Sequence, residues 1–208
     1  MGLLQKLACR IKLRQRAVVS ISHVRNTKMI KFLGNCGNID WDSVIADCIH
    51  HEPEFIGPSH SKDDNLPGLD EVANLWEHAG YKNLDQGGTV GWGMYMPGKQ
   101  FEQRVIDEFC KMFQIEDLHT AWISEIKPGN FAPVHWDVND HEEELAKLPP
   151  KARYHAHIGA PKFGHVFIAQ DQCFYNQAQG DTFKWDDRKY WHAGSNCGLE
   201  SKFILNAW

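Results

Sequence analysis

From residue 119 to the end the chain is a succession of short runs rich in aromatic and β-branched residues, at 120–126, 132–138, 153–158, 164–169, 172–175, 181–185, 189–193 and 202–208. Glycine, proline and small polar residues punctuate them at intervals of roughly ten residues, the pattern of antiparallel strands in a sandwich or barrel. The preceding stretch is helical in character. Trp41, Val44, Ile45 and Ile49 recur at helical spacing after Asp40 as an N-cap, and 69–79 forms a second short helix. Over 100–113 the residues Phe101, Val105, Phe109, Met112 and Phe113 make one apolar stripe that packs on a sheet. The glycine-rich stretch 87–98, with Trp92, Met94 and Tyr95, is too irregular for a helix. Helices followed by strands give an α+β class, mainly β, with N-terminal helices buttressing the sheets. An acidic helical insertion over 140–148, stopped by Pro149 and Pro150, interrupts the strands.

Charge divides the chain unevenly. Residues 1–39 hold eight lysines and arginines and no acidic residue, whereas the remainder holds 14 basic and 27 acidic residues. This suggests a basic leader or tail over 1–38 and one domain over 39–208, with a helical prelude at 39–118 and a β core at 119–208. Leu4, Leu7 and Ile11 lie on one helical face, with Lys6, Arg10 and Arg14 on another. Residues 2–16 therefore suit a membrane surface, an import receptor or a mitochondrial transit segment; the alternatives are a plain disordered tail or a misassigned start with Met29 as the functional initiator. No apolar block follows the charges as in a secretory signal, and no apolar run is long enough to span a bilayer. The six cysteines contain no CxxC pair and read as reduced thiols, which places the protein in the cytoplasm, or in mitochondria if 1–38 is a targeting segment. An acidic body repels phosphate backbones, so broad nucleic-acid binding is not expected.

Twelve histidines are present, and those in the β half carry the chemistry. His135 and Asp137 stand at i and i+2, hence on one strand face, and His192 lies on a late strand. Two histidines and one carboxylate with open positions form the facial triad of non-haem Fe(II) oxygenases, but the same ligands also suit zinc, and the spacing alone admits a chance match. Lys202 follows ten residues after His192, in an otherwise apolar strand. A tight turn at 195–198 would set the two opposite each other, or a crossing to a facing sheet would point both inward. An inward lysine requires an anion; the alternative is an outward residue at a strand start. Arg153 and His155 alternate on one strand face and add donors to the same interior.

The sequences P-G-N-F-A-P-V-H-W-D at 128–137, R-Y-H at 153–155, G-D-T-F-K-W-D-D at 180–187, H-A-G-S-N at 192–196 and K-F-I-L-N-A-W at 202–208 occur in that order. Over 124–208 the chain resembles the aspartyl/asparaginyl β-hydroxylase family of Fe(II)- and 2-oxoglutarate-dependent oxygenases. The resemblance implies a double-stranded β-helix, the cupin-like jelly roll, with iron at its open mouth on His135, Asp137 and His192. It places Lys202 where the family usually has an arginine for the distal carboxylate of 2-oxoglutarate, and Ser124, Arg153 and His155 among the co-substrate contacts. Lysine keeps the charge but replaces a bidentate fork by a point charge. Vertebrate-type members lack the aspartate, whereas Asp137 is present here, as in relatives that hydroxylate free amino acids such as proline.

The implied activity is hydroxylation of an amino-acid or peptidyl side chain with release of succinate and CO2. A free amino acid, a peptide and a small metabolite all fit as substrate. Asn196 and Asp187 are candidate supporting groups, and Trp136, Trp185, Trp191 and Trp208 line the pocket or belong to the core. Glu142, Glu143 and Glu144 select a cationic substrate or form a solvated helix face. The competing class is a cupin-like β-sandwich that binds a small anion or serves as a structural module, without oxygenase activity.

Overall fold

The computed structural model describes residues 30–57, 69–136, 152–186 and 190–208. Most of the leader, the insertion over 140–148 with Glu142–Glu144, and the predicted site residues Asp137 and Asp187 lie outside the described residues.

Strand β1 (Lys31–Asn35) precedes helix α1 (Trp41–Ile49), strand β2 (Phe55–Gly57), helix α2 (Leu69–Ala79), a 3-10 turn (Leu84–Gln86), strand β3 (Trp92–Tyr95) and helix α3 (Gln103–Phe113). Eight strands follow: β4 (Ala121–Ile126), β5 (Phe131–His135), β6 (Arg153–His157), β7 (His165–Ala169), β8 (Gln172–Tyr175), β9 (Asp181–Trp185), β10 (His192–Asn196) and β11 (Lys202–Ala207). They form a seven-stranded sheet in the order β1-β9-β6-β11-β4-β3-β2 and a four-stranded sheet in the order β5-β10-β7-β8, and every strand pairing is antiparallel. Because β4, β6, β9 and β11 lie in one sheet and β5, β7, β8 and β10 in the other, the chain crosses repeatedly between facing sheets. This is the double-stranded β-helix, with β1, β2 and β3 extending the larger sheet at its edges.

Side-chain alternation sets the two faces of β11. Phe203, Leu205 and Ala207 join Ala121, Ile123, Ala156 and Ile158 in one core, which α1 and α3 cover with Trp41, Val44, Val105, Ile106 and Phe109. The helices therefore buttress the larger sheet from outside. Lys202, Ile204 and Asn206 face the other way, into the roll. Between the sheets a second core gathers Phe167, Ala169, Phe183, Trp185 and Tyr190. Asp40 caps α1, accepting from the Ser43 amide at 3.2 Å and the Ser43 hydroxyl at 2.8 Å.

Several local expectations shift. Met112 is 36% exposed and falls off the α3 stripe. The stretch 87–98 contains β3; Gly93 lets this strand lie against Pro53, whose Cβ would stand 3.1 Å from an added Cβ. Lys31–Asn35, counted with the basic leader, pairs with β9 as an edge strand. The seventh core strand runs 192–196 instead of 189–193, because Tyr190 is drawn into the core, its hydroxyl accepting from the Ile30 amide at 3.1 Å. Among the described residues no helix is long and apolar enough to cross a membrane. Cys36, Cys48, Cys110, Cys173 and Cys197 are free thiols, and burial pushes the Cys48 thiol up to about 12.

Candidate functional site

His135 and His192 are direct cross-strand partners on β5 and β10, and their ring centroids stand 4.3 Å apart. The local chain fixes each ring in the same way. The His135 Nδ1–H donates to the Pro133 carbonyl at 2.6 Å, and the His192 Nδ1–H donates to the Tyr190 carbonyl at 2.9 Å. A carbonyl only accepts, so the hydrogen sits on Nδ1 and the lone pair on Nε2 in both imidazoles. Packing holds the planes. Trp92 stacks on His135 at 6.1 Å, and Trp76 meets it edge-on at 5.8 Å while its own Nε1–H donates to the Val134 carbonyl at 3.0 Å. Trp185 lies 5.4 Å from the ring of His192.

These two rings line a cavity of about 130 Å3 between the sheets. Ser124, Arg153, His155 and Asn206 supply its polar wall, and Trp92, Trp122 and Phe167 much of its apolar wall. The Ser124 Oγ accepts from the Trp122 Nε1–H at 3.0 Å and from the Asn206 Nδ2–H at 3.0 Å. Both of its lone pairs are thus engaged, which leaves its hydroxyl hydrogen to donate. The Arg153 guanidinium lies over the rings of Trp122 and Trp208, 4.6 and 5.6 Å from their centroids. His155 stacks on Phe167 at 4.0 Å; burial first, then the nearby Lys202 charge, holds its pKa well below the ordinary histidine value.

Lys202 is fully buried, and its Nζ donates to the Val166 carbonyl at 2.6 Å. Among the described residues no carboxylate pairs with it, and burial lowers its pKa from 10.5 to about 7. The link between lysine and cavity is Gly194, a wall residue on β10. A Cβ added there would meet Ile126 Cδ1 at 3.2 Å and Lys202 Nζ at 3.8 Å. The absence of a side chain at 194 is what leaves the ammonium within reach of a cavity occupant.

The structure thus brings together His135, His192, Ser124, Arg153, His155 and Lys202. It places the turn at 195–198 differently from a hairpin: β10 continues to Asn196 in the four-stranded sheet and β11 belongs to the other, so His192 and Lys202 point inward from facing sheets. Asn196 is no part of the cavity wall. Its Nδ2 donates to the carbonyls of Ile126 and Glu200, each at 2.7 Å, and its Oδ1 accepts from the Gly198 amide at 2.9 Å, so it fixes the β10–β11 turn. Trp136 packs edge-on against Trp191 at 4.2 Å, and neither they nor Trp185 and Trp208 line the cavity. Its tryptophans are Trp92 and Trp122. The second was signalled by its alternation with Ser124 on β4; Trp92 and Asn206 depend on cross-strand register.

Among the described residues no group of three or more histidine, cysteine, aspartate or glutamate side chains is placed to hold a metal ion. The donor chemistry nevertheless fits one. Two imidazoles whose Nδ1 is taken up by a main-chain carbonyl stand with ring centroids 4.3 Å apart, and Asp137 follows two residues after His135 in the sequence.

No protein-family model and no curated protein matches the chain. Among solved structures it is similar to a prolyl hydroxylase from Trichoplax adhaerens, in complex with a hypoxia inducible factor oxygen degradation domain peptide fragment. Identity is 11%, covering 88% of this chain and 84% of that one, with a TM-score of 0.46. A viral collagen prolyl hydroxylase from Paramecium bursaria Chlorella virus-1, in complex with 2OG, shares 21% identity over 56% of this chain and 76% of that one, with a TM-score of 0.39. A predicted oxalate decarboxylase from Thermotoga maritima shares 11% identity over 56% and 78%, with a TM-score of 0.36.

Proposed function

We propose that the protein is an Fe(II)- and 2-oxoglutarate-dependent dioxygenase of the aspartyl/asparaginyl β-hydroxylase type, which hydroxylates an amino-acid or peptidyl side chain. One observation carries this reading. Two imidazoles whose Nδ1 is taken up by a main-chain carbonyl line a cavity between the sheets with their rings 4.3 Å apart, and a buried lysine with no carboxylate partner among the described residues lies just beyond Gly194. A metal requires the first arrangement, and an anion of fixed length requires both. A purely structural β-sandwich has no use for a buried unpaired ammonium, which costs stability unless something neutralises it.

In this reading His135, Asp137 and His192 hold Fe(II). The Pro133 and Tyr190 carbonyls keep the ligating nitrogens aimed, the orienting role that outer hydrogen bonds play at metal sites. Lys202 and the Ser124 hydroxyl bind the distal carboxylate of 2-oxoglutarate, while Arg153 and His155 supply polar contacts along the cavity. Phe167, Trp92 and Trp122 exclude water from the interior. With metal and co-substrate bound, the centre supplies oxidative decarboxylation of 2-oxoglutarate to succinate and CO2 and delivers one oxygen atom of O2 to a substrate C–H bond.

Anaerobic reconstitution with Fe(II) and 2-oxoglutarate, followed by admission of O2, tests the assignment. The expected result is succinate and CO2 in equal amounts, dependent on both Fe(II) and O2. Retention of 2-oxoglutarate with no O2-dependent succinate would instead identify an anion-binding module.

A further inference from the structure

The larger sheet carries one more inward polar side chain that the proposed function leaves idle. On β6 the residues Arg153, His155 and His157 face the interior, while Ala156 and Ile158 pack into the helix-covered core. Register places His157 beside Ile204, whose other neighbour is Ser124. The row Ser124–Ile204–His157 thus crosses the sheet next to the row that holds Lys202 and Ile126. His157 is 1% exposed, and its Nδ1 is buried with no hydrogen-bond partner among the described residues. Its nearest aromatic contact is His165, edge-on at 6.0 Å. That ring supplies no partner in this geometry: the His165 Nε2–H donates to the Glu200 carbonyl at 3.0 Å, and its Nδ1, which could accept, is likewise buried without a hydrogen bond among the described residues.

A polar ring in a buried row that otherwise suits an aliphatic residue, with one nitrogen unsatisfied, calls for an occupant with acceptor atoms. The ring stays uncharged. Burial first, then the charge of Lys202, lowers the His157 pKa to about 3. It can therefore add a hydrogen bond to an anion without adding a further buried cation to Lys202 and Arg153.

We infer that His157 is the third donor, with Lys202 and Ser124, to the distal carboxylate of a dicarboxylic 2-oxo acid. This rests on the co-substrate reading above. His157 acts as a selectivity residue: it favours 2-oxo acids that carry a second carboxylate over those of equal length that do not.

The test compares binding of 2-oxoglutarate and of 2-oxopentanoate, which has the same carbon chain without the distal carboxylate, to the anaerobic Mn(II)-loaded protein by calorimetry. His157→Leu is expected to weaken 2-oxoglutarate by about tenfold or more, the worth of a hydrogen bond to a charged group, and to leave 2-oxopentanoate within about twofold. His157→Asn keeps a side-chain N–H and is expected to recover most of the loss. Equal weakening of both ligands, no weakening of either, or an asparagine variant as poor as leucine would overturn the inference, since each is what a merely structural histidine gives. If the wild-type protein binds no 2-oxoglutarate at all, the oxygenase reading fails and the inference falls with it, a result distinct from tight binding that is indifferent to residue 157.

Discussion

Under the proposed function, His192→Ala and His135→Ala are each expected to reduce O2-dependent succinate formation by more than about a hundredfold. The magnitude follows from the position of the two rings. Loss of a group that merely orients a metal ligand costs roughly 10- to 100-fold in metal affinity or activity, and loss of the ligand itself exceeds that. The effect is expected to be local. His135 is only partly buried, and the Trp76 and Trp92 rings that hold it are themselves held by a hydrogen bond to the Val134 carbonyl and by β-sheet pairing. Unchanged circular dichroism together with lost turnover supports the assignment. Turnover retained in both variants refutes it.

Under the same proposal, Lys202→Ala is expected to act on the co-substrate alone. Truncating one partner of a buried charge pair costs about 2–5 kcal/mol, so the 2-oxoglutarate concentration for half-maximal turnover rises by roughly thirtyfold to several thousandfold, while turnover at saturation changes little. The pH dependence has a definite sign. With a pKa of about 7 in the folded protein, Lys202 is charged below that pH and loses its proton above it. Affinity for 2-oxoglutarate therefore falls as pH rises through about 7, because binding then requires uptake of a proton. Lys202→Arg keeps its charge throughout and is expected to flatten this profile, with a weaker optimum because the guanidinium has a different shape.

Stability without ligand moves the opposite way. The unfolded chain holds the lysine proton to near 10.5 and the folded chain only to about 7, so the burial penalty is fully present below pH 7 and is relieved as pH rises toward 10.5. Lys202→Met is thus expected to raise the melting temperature more at pH 6 than at pH 9, as thermal unfolding at the two pH values will show.

The strands of the roll were legible because each is short, aromatic or β-branched, and bounded by turn residues; 172–175 and 181–185 match β8 and β9 residue for residue. Where the pattern misled, tertiary packing decided. Lys189, Tyr190 and Trp191 have more strand character than Ala193, Gly194 and Ser195. The strand nevertheless forms on the small residues, because β10 is interior to its sheet and its residue 194 faces Ile126 and Lys202, where an added Cβ would crowd Ile126 Cδ1 at 3.2 Å. Strand β1 depends on pairing with β9, far along the chain, and Phe32 is exposed on it, so no local apolar alternation announced it. In the candidate site, the sequence spacing of His135, His192 and Lys202 corresponds to positions on β5, β10 and β11, with His135 and His192 paired across strands. Gly194, Asn206 and His157 were not visible in this way, since their significance comes from cross-strand register. Asn196 misled for the converse reason: its amide, suggestive in sequence, is spent on the Ile126 and Glu200 carbonyls.

The central claim is that His135 and His192 share one divalent metal ion through Nε2. Anaerobic titration with Co(II), followed by visible absorption, measures this without reliance on turnover or on knowledge of the substrate. Saturation is expected at a single ion per chain, with bands that shift when 2-oxoglutarate is added and that are lost in His135→Ala and in His192→Ala. Undiminished Co(II) binding in both variants, or bands indifferent to 2-oxoglutarate in the wild-type protein, would contradict it.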